Sequence, residues 1–174
     1  MNETLMYAKY NEAGNKLIYE ILSGLTNEER EQDRGSFYGS LSGLLRHVIG
    51  GTCFFLGMFK PVLENNAAAS KALAGLPPMP SEEPLNEAQW KELSGILEKF
   101  DAVYTGMAEA LSEADLKLPV KIDWYGGNPD SVPLSFMISQ LVVHNIHHRG
   151  QISQILDTLK IENDFSGIDV AFLG

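Results

Sequence analysis

The chain has 174 residues, 44% of them hydrophobic and 21% charged, which suits one folded domain over 1–174 and excludes a disordered polymer. Acidic residues outnumber basic ones 23 to 13, giving a net charge of −10 with no Lys/Arg cluster to offset it. That balance argues against nucleic-acid and anionic-membrane partners, both of which are held by clustered cations.

The opening Met1-Asn2-Glu3-Thr4 has neither the basic start nor the apolar run of a signal peptide, so a cytoplasmic location is expected. A first helix is predicted over about 4–25 from Leu5, Leu17, Ile18, Ile21, Leu22 and Leu25, with Asn2 or Thr4 as its cap. The polar stretch 26–34 breaks that pattern. A second helix is predicted over 40–61, carrying Leu41, Leu44, Leu45, Val48, Phe54, Phe55 and Met58 and ending near Pro61. Its apolar run is interrupted by charge and glycine, as every other run is, and falls short of the roughly 20 apolar residues of a membrane span. Cys53, the single cysteine, excludes an intramolecular disulfide and a multi-cysteine zinc site.

Residues 65–84 combine an alanine patch with Pro77, Pro78, Pro80 and Pro84, a composition that resists a continuous helix. Asn86 is a good cap for a third helix, with Gln89 placed to complete a capping box. Trp90, Leu93, Leu97, Phe100, Val103, Tyr104, Met107 and Leu111 give this helix its 3.6-residue period. Leu118 to Ile122 reads as a short strand and Gly126-Gly127-Asn128-Pro129 as a turn. Pro133, with Ser131 near the cap, then opens a fourth helix to about residue 160. Four amphipathic helices with two long connections predict an all-α bundle with a short β-hairpin before the last helix.

Four histidines occupy two places. His47 lies on the second helix, and His144, His147 and His148 lie together on the fourth. At about 100° per residue, His148 falls about 30° and His144 about 70° from the centre of the apolar stripe of the fourth helix. His147 lies roughly 130° away, near the opposite face. His144 and His148, at i and i+4, therefore point inward together and can share one metal ion. As core residues, each would need its own hydrogen-bond partner, because an unpaired buried polar group costs about 1–3 kcal/mol. Ligation would satisfy both in the neutral form that burial favours. His47 sits about 120° from the apolar stripe of its own helix. Its neighbours Gly43, Gly50 and Gly51 either leave room for a helix or bound group, or only permit tight packing.

The string His144-Asn145-Ile146-His147-His148-Arg149-Gly150-Gln151 resembles the H-x-x-H-H-R-G-Q signature of the DinB/YfiT-like metalloenzyme superfamily. The segment Gly39-Ser40-Leu41-Ser42-Gly43-Leu44-Leu45-Arg46-His47 is similar to its second-helix pattern, and Arg34-Gly35-Ser36-Phe37 and Tyr10-Asn11 match in character. The resemblance covers essentially the whole chain. It implies an up-down-down-up four-helix bundle, commonly a homodimer, with a metal triad at His47, His144 and His148. It also implies zinc or nickel as the metal and a low-molecular-weight thiol such as bacillithiol or mycothiol as co-substrate. Phe54-Phe55 stands where aromatic residues including tryptophan are common, a departure that bears on the shape of the substrate pocket.

Three histidines leave coordination positions open, the arrangement of a catalytic zinc site. Asparagine at position 145 removes the general base of an H-E-x-x-H protease. Asp123 is a loop carboxylate that could reach a site near the helix ends, or simply be solvated. Arg149 could bind an anionic substrate group bidentately, or form a surface or interface salt bridge. Gln151 could support a ligand or pack, and Cys53 reads as a buried structural thiol. The expected function is a metal-dependent enzyme transferring a thiol to a small electrophile, in stress response or detoxification. The alternative is a non-catalytic metal-binding bundle with a structural or sensing role.

Overall fold

The computed structural model describes residues 3–79, 81, 84–123 and 130–165. The described chain is mostly helical, with a small antiparallel sheet. The four long helices are α1 (Glu3–Ser23), α3 (Leu41–Val62), α5 (Glu87–Ala110) and α6 (Leu134–Thr158), within a few residues of the ranges the apolar periods predict. Two short helices, α2 (Asn27–Glu31) and α4 (Ala67–Leu73), fall in segments the sequence marks as breaks.

Local chemistry explains both additions. Thr26 and Glu29 form a reciprocal capping box that nucleates α2. Arg30 from α2 is buried, bonds the Leu22 and Leu25 carbonyls where α1 ends, and lies over the Trp90 ring. In α4 the alanine patch supplies propensity and Asn66 the cap, and the same Asn66 side chain donates to the Ala110 carbonyl at the end of α5. Asn86 and Gln89 form the predicted capping box of α5. Thr4 falls inside α1 rather than at its cap, and Asn2 lies outside the described residues.

The predicted hairpin is present as β1 (Pro119–Lys121) paired with β2 (Ser131–Pro133), Val120 opposite Val132. The turn at 126–129 lies outside the described residues. Ser131 is in β2, so Pro133 sits at the cap of α6 without a side-chain bond. The Leu118 carbonyl instead accepts the first helical N–H, from Leu134, at 2.8 Å.

Packing pairs α3 chiefly with α6 and α1 chiefly with α5. Two apolar clusters fill the interior. One is centred on Leu56, Phe59, Tyr104, Met107, Met137 and Leu141, the other on Ile18, Leu45, Ile49, Trp90, Phe100 and Ile152. By length and composition α3 could cross a membrane, which its sequence did not suggest, but 56% of its apolar window is packed inside the protein. The polar site lies along the α3–α6 seam, with polar partners from α1 and α5 behind it.

Candidate metal centre

Ser40 caps α3 by accepting from the Gly43 N–H at 2.9 Å, which fixes where the helix begins and hence where His47 points. The preceding loop turns back on itself through Gly35 and Gly39, with φ of 73° and 74°, and lays Tyr38 on the His47 imidazole. The two rings stack at 3.7 Å between centroids and 19° between planes. Gly43 makes this possible, because a Cβ there would overlap the Tyr38 carbonyl oxygen.

From α6, His148 is buried and His144 half-buried, one turn apart with ring centroids at 4.6 Å. Across the seam the His47 ring lies 4.9 Å from His144 and 4.4 Å from His148. A Cβ on Gly51 would overlap the His144 ring, so this glycine allows the side chain to cross to α3. Gly50 has another role, facing a cleft beneath Met79. The glycine-lined face thus permits tight packing at Gly51 and, at Gly50, borders the cleft with room for a Cβ in ordinary contact with Met79. His147 is exposed, on the side the helical angle predicts.

One nitrogen from each of His47, His144 and His148 lies within 4.8 Å of the other two, a group that could hold a metal ion. Nε2 of His47 and Nε2 of His144 are 3.0 Å apart. Ligands about 2.05 Å from a tetrahedral zinc ion stand roughly 3.3 Å from one another, close to that separation.

The tautomer of His144 follows from its neighbours. Arg149 carries only donors, and its Nη2 lies 2.5 Å from Oδ1 of Asn11, which assigns that atom as the carboxamide oxygen. Asn145 Nδ2 donates to the same oxygen at 2.7 Å and to Thr52 Oγ1 at 3.0 Å, while the Thr52 hydroxyl donates to the Val48 carbonyl. The Asn145 oxygen is therefore left to face His144 Nδ1, at 3.0 Å. Nδ1 carries the proton and Nε2 presents its lone pair to the cluster. Gln151 Oε1, 2.7 Å from Nδ1 of His148, does the same for the second imidazole.

Burial pushes all three imidazoles toward the neutral form. For His47, desolvation and then the neighbouring His148 and His144 lower the pKa to about 4. Desolvation is also the leading cause of the lowered values of His144 and His148. Behind the triad, Asp101 of α5 accepts from Asn11 at 3.0 Å and Asn15 at 2.8 Å, and its own burial raises its pKa to about 7.

Other sequence-flagged residues fall elsewhere. Arg149 is 3% exposed, wedged where a Cβ on Gly14 would overlap its guanidinium and bonded to Asn11, so it forms no surface salt bridge among the described residues. Exposed Asp123 follows β1, which packs on Met58, Pro61 and Val62, at least about 16 Å along α3 from His47. Cys53 is buried, its thiol 3.8 Å from the Pro77 carbonyl.

Asn11, Asn15, Asp101 and Tyr38 were not anticipated as parts of the site, and Asn145 was considered only for the base it lacks. A signal for the first three exists. Ala8, Asn11, Asn15, Ile18 and Leu22 follow one buried face of α1 at spacings of three and four, and Asp101 lies on the buried face of α5 between Leu97 and Tyr104. Polar residues at core positions need partners, and these partner each other.

Comparison with known proteins agrees with this geometry. No curated protein and no solved structure matches the chain. The model of the DinB family matches residues 1–159, which include α1 through α6 and all three clustered histidines. The chain belongs to the DinB family.

Proposed function

We propose that this protein is a metal-dependent enzyme in which His47, His144 and His148 hold a divalent ion, zinc or nickel, and that it transfers a low-molecular-weight thiol to a small electrophile. The observation that carries this reading is the convergence of the three imidazoles within 4.8 Å, with partners that direct the nitrogen lone pairs of His144 and His148 inward. A bound ion with an open position would lower the pKa of a thiol or water there. In the overall reaction a carbon–sulfur bond forms, the bond from carbon to the leaving group breaks with its electron pair, and the thiol proton passes to solvent. This chain holds the imidazoles neutral and orients those of His144 and His148 through Asn145 and Gln151.

We further propose the up-down-down-up arrangement. Asn11 and Tyr19 of α1 contact Asp101 and Trp90, in reversed order along α5. His47 and Thr52 of α3 contact His148 and Asn145, again reversed along α6. Asn11 and Gly14 meet Asn145 and Arg149 in the same order, which supports parallel α1 and α6.

The test begins with metal analysis of protein purified without a nickel column or chelator. About one divalent ion per chain is expected, together with metal-dependent formation of the thioether from a thiol panel and 1-chloro-2,4-dinitrobenzene. His144→Ala should lose both ion and turnover, while His147→Ala should keep both. Full turnover without metal overturns the reading.

A further inference from the structure

A cleft of about 850 Å³ opens beside His47 and His144, a size suited to a small-molecule ligand. Its walls are Phe37, Tyr38, Phe54, Phe55 and Met79, and Gly50 helps to form its floor. Phe37 is 92% exposed, Met79 55% and Phe54 47%. Large apolar side chains left in water around one concavity mark a surface that gains by covering them. The charge pattern narrows the ligand further. Among the described residues no carboxylate lines the cleft, and the one lysine or arginine that does, Arg46, is largely buried, with its guanidinium 3.4 Å from the Glu31 carboxylate and 3.3 Å from the Ser42 carbonyl. Its charge is already compensated within the wall. In the metal-free protein an anionic ligand would give up its hydration for aromatic surface and find no uncompensated cation among the described lining residues, because His47 and His144 are held neutral.

We infer that this cleft takes an uncharged, apolar molecule with an aromatic or alkyl body, selected by Phe37, Phe54, Phe55 and Met79 and delivered to the His47–His144 edge. As the identity of the electrophile, this rests on the transferase reading; as a binding site, it stands on the cleft alone. Gly50 sets the depth. A Cβ there would meet Met79 Sδ at 3.5 Å, ordinary contact, so a side chain added at this position starts into the cleft without a clash at its first carbon.

The test uses two fluorescent probes of nearly the same shape, neutral N-phenyl-1-naphthylamine and anionic 8-anilino-1-naphthalenesulfonate. With the protein freed of metal by a chelator, the neutral probe should bind with one site per chain and at least about tenfold more tightly than the anion, the order set by the cost of burying an unpaired charge. Gly50→Leu should weaken the neutral probe about tenfold by occupying the floor, and Phe54→Ser, at an exposed position, should do so by removing a wall. Failure of the neutral probe to bind, equal or tighter binding of the anion, or unchanged binding in both variants overturns the inference. Metal content measured on the same samples before chelation separates the two proposals. Probe binding retained in metal-free His144→Ala alongside absent metal in the parent protein sinks only the metal reading. A loaded protein that ignores the neutral probe sinks only this one.

Discussion

The side-chain oxygen of Asn145 lies 3.0 Å from Nδ1 of His144, the residue immediately before it, and the Asn145 amide is oriented by Asn11 and Thr52 from two other helices. A helix–helix hydrogen-bond network thus sets the protonation of one imidazole. Asn145→Ala should lower metal affinity about 10–100-fold, the usual effect of removing a group that orients a metal ligand. It should also destabilise the fold by about 1–3 kcal/mol, because the Asn11 and Thr52 partners lose a buried bond. Competition against a chromophoric chelator and urea unfolding measure the two effects; unchanged affinity would detach Asn145 from the site.

Gly51 and Gly57 occupy the same helix with opposite consequences. A Cβ at Gly51 overlaps the His144 ring, whereas nothing lies within 4 Å of one at Gly57. Gly51→Ala should cost at least about tenfold in metal affinity by turning His144 out of position. Gly57→Ala should leave affinity unchanged and stabilise the protein by about 0.4–1 kcal/mol through helix propensity and a less flexible unfolded chain. The pair is compared by metal titration and thermal melting, and equal affinities would contradict the steric account.

Acid should weaken the metal-free protein through His47. Its pKa is lowered to about 4 in the fold against about 6.5 in an unfolded chain, so the unfolded state binds more protons between those values. The stability this group contributes is present above pH 6.5 and is lost as pH falls toward 4. Asp101, raised to about 7, works in the other direction: its contribution is present below about 3.8 and is lost as pH rises through 7. Comparison of the parent protein with His47→Gln isolates the first effect. The melting temperature of the parent should fall more steeply from pH 6.5 to 4, and a parallel pair of curves would rule out His47 as its source.

Arg149 should behave as a core residue. Its guanidinium bonds the Asn11 side chain and backbone carbonyl at 2.5 and 3.2 Å from a position 3% exposed. Arg149→Ala should cost about 3 kcal/mol or more, beyond what an exposed salt bridge contributes, and should also lower metal affinity by freeing Asn11 and Asn145. A loss below about 1 kcal/mol in urea unfolding would restore the surface reading.

The amino-acid sequence by itself determined the four long helices, the Asn86 capping box, the hairpin before α6 and the inward pairing of His144 with His148. These are local matters, set by periodicity, caps and the angle between residues one turn apart. The recognisable motifs also brought His47 into the same group, though the angle on its own helix pointed away from the core. Only the tertiary structure decided why His47 belongs there. Gly43 admits the Tyr38 carbonyl, Tyr38 stacks on His47, and Gly51 lets His144 cross the seam. Arg149 was misread for the same reason. A charged side chain on a helix reads as solvated until a partner is known to bury it, and its partners Gly14 and Asn11 lie more than 130 positions away along the chain. Contacts between distant residues carry no period and no spacing, so they become visible only when the helices pack.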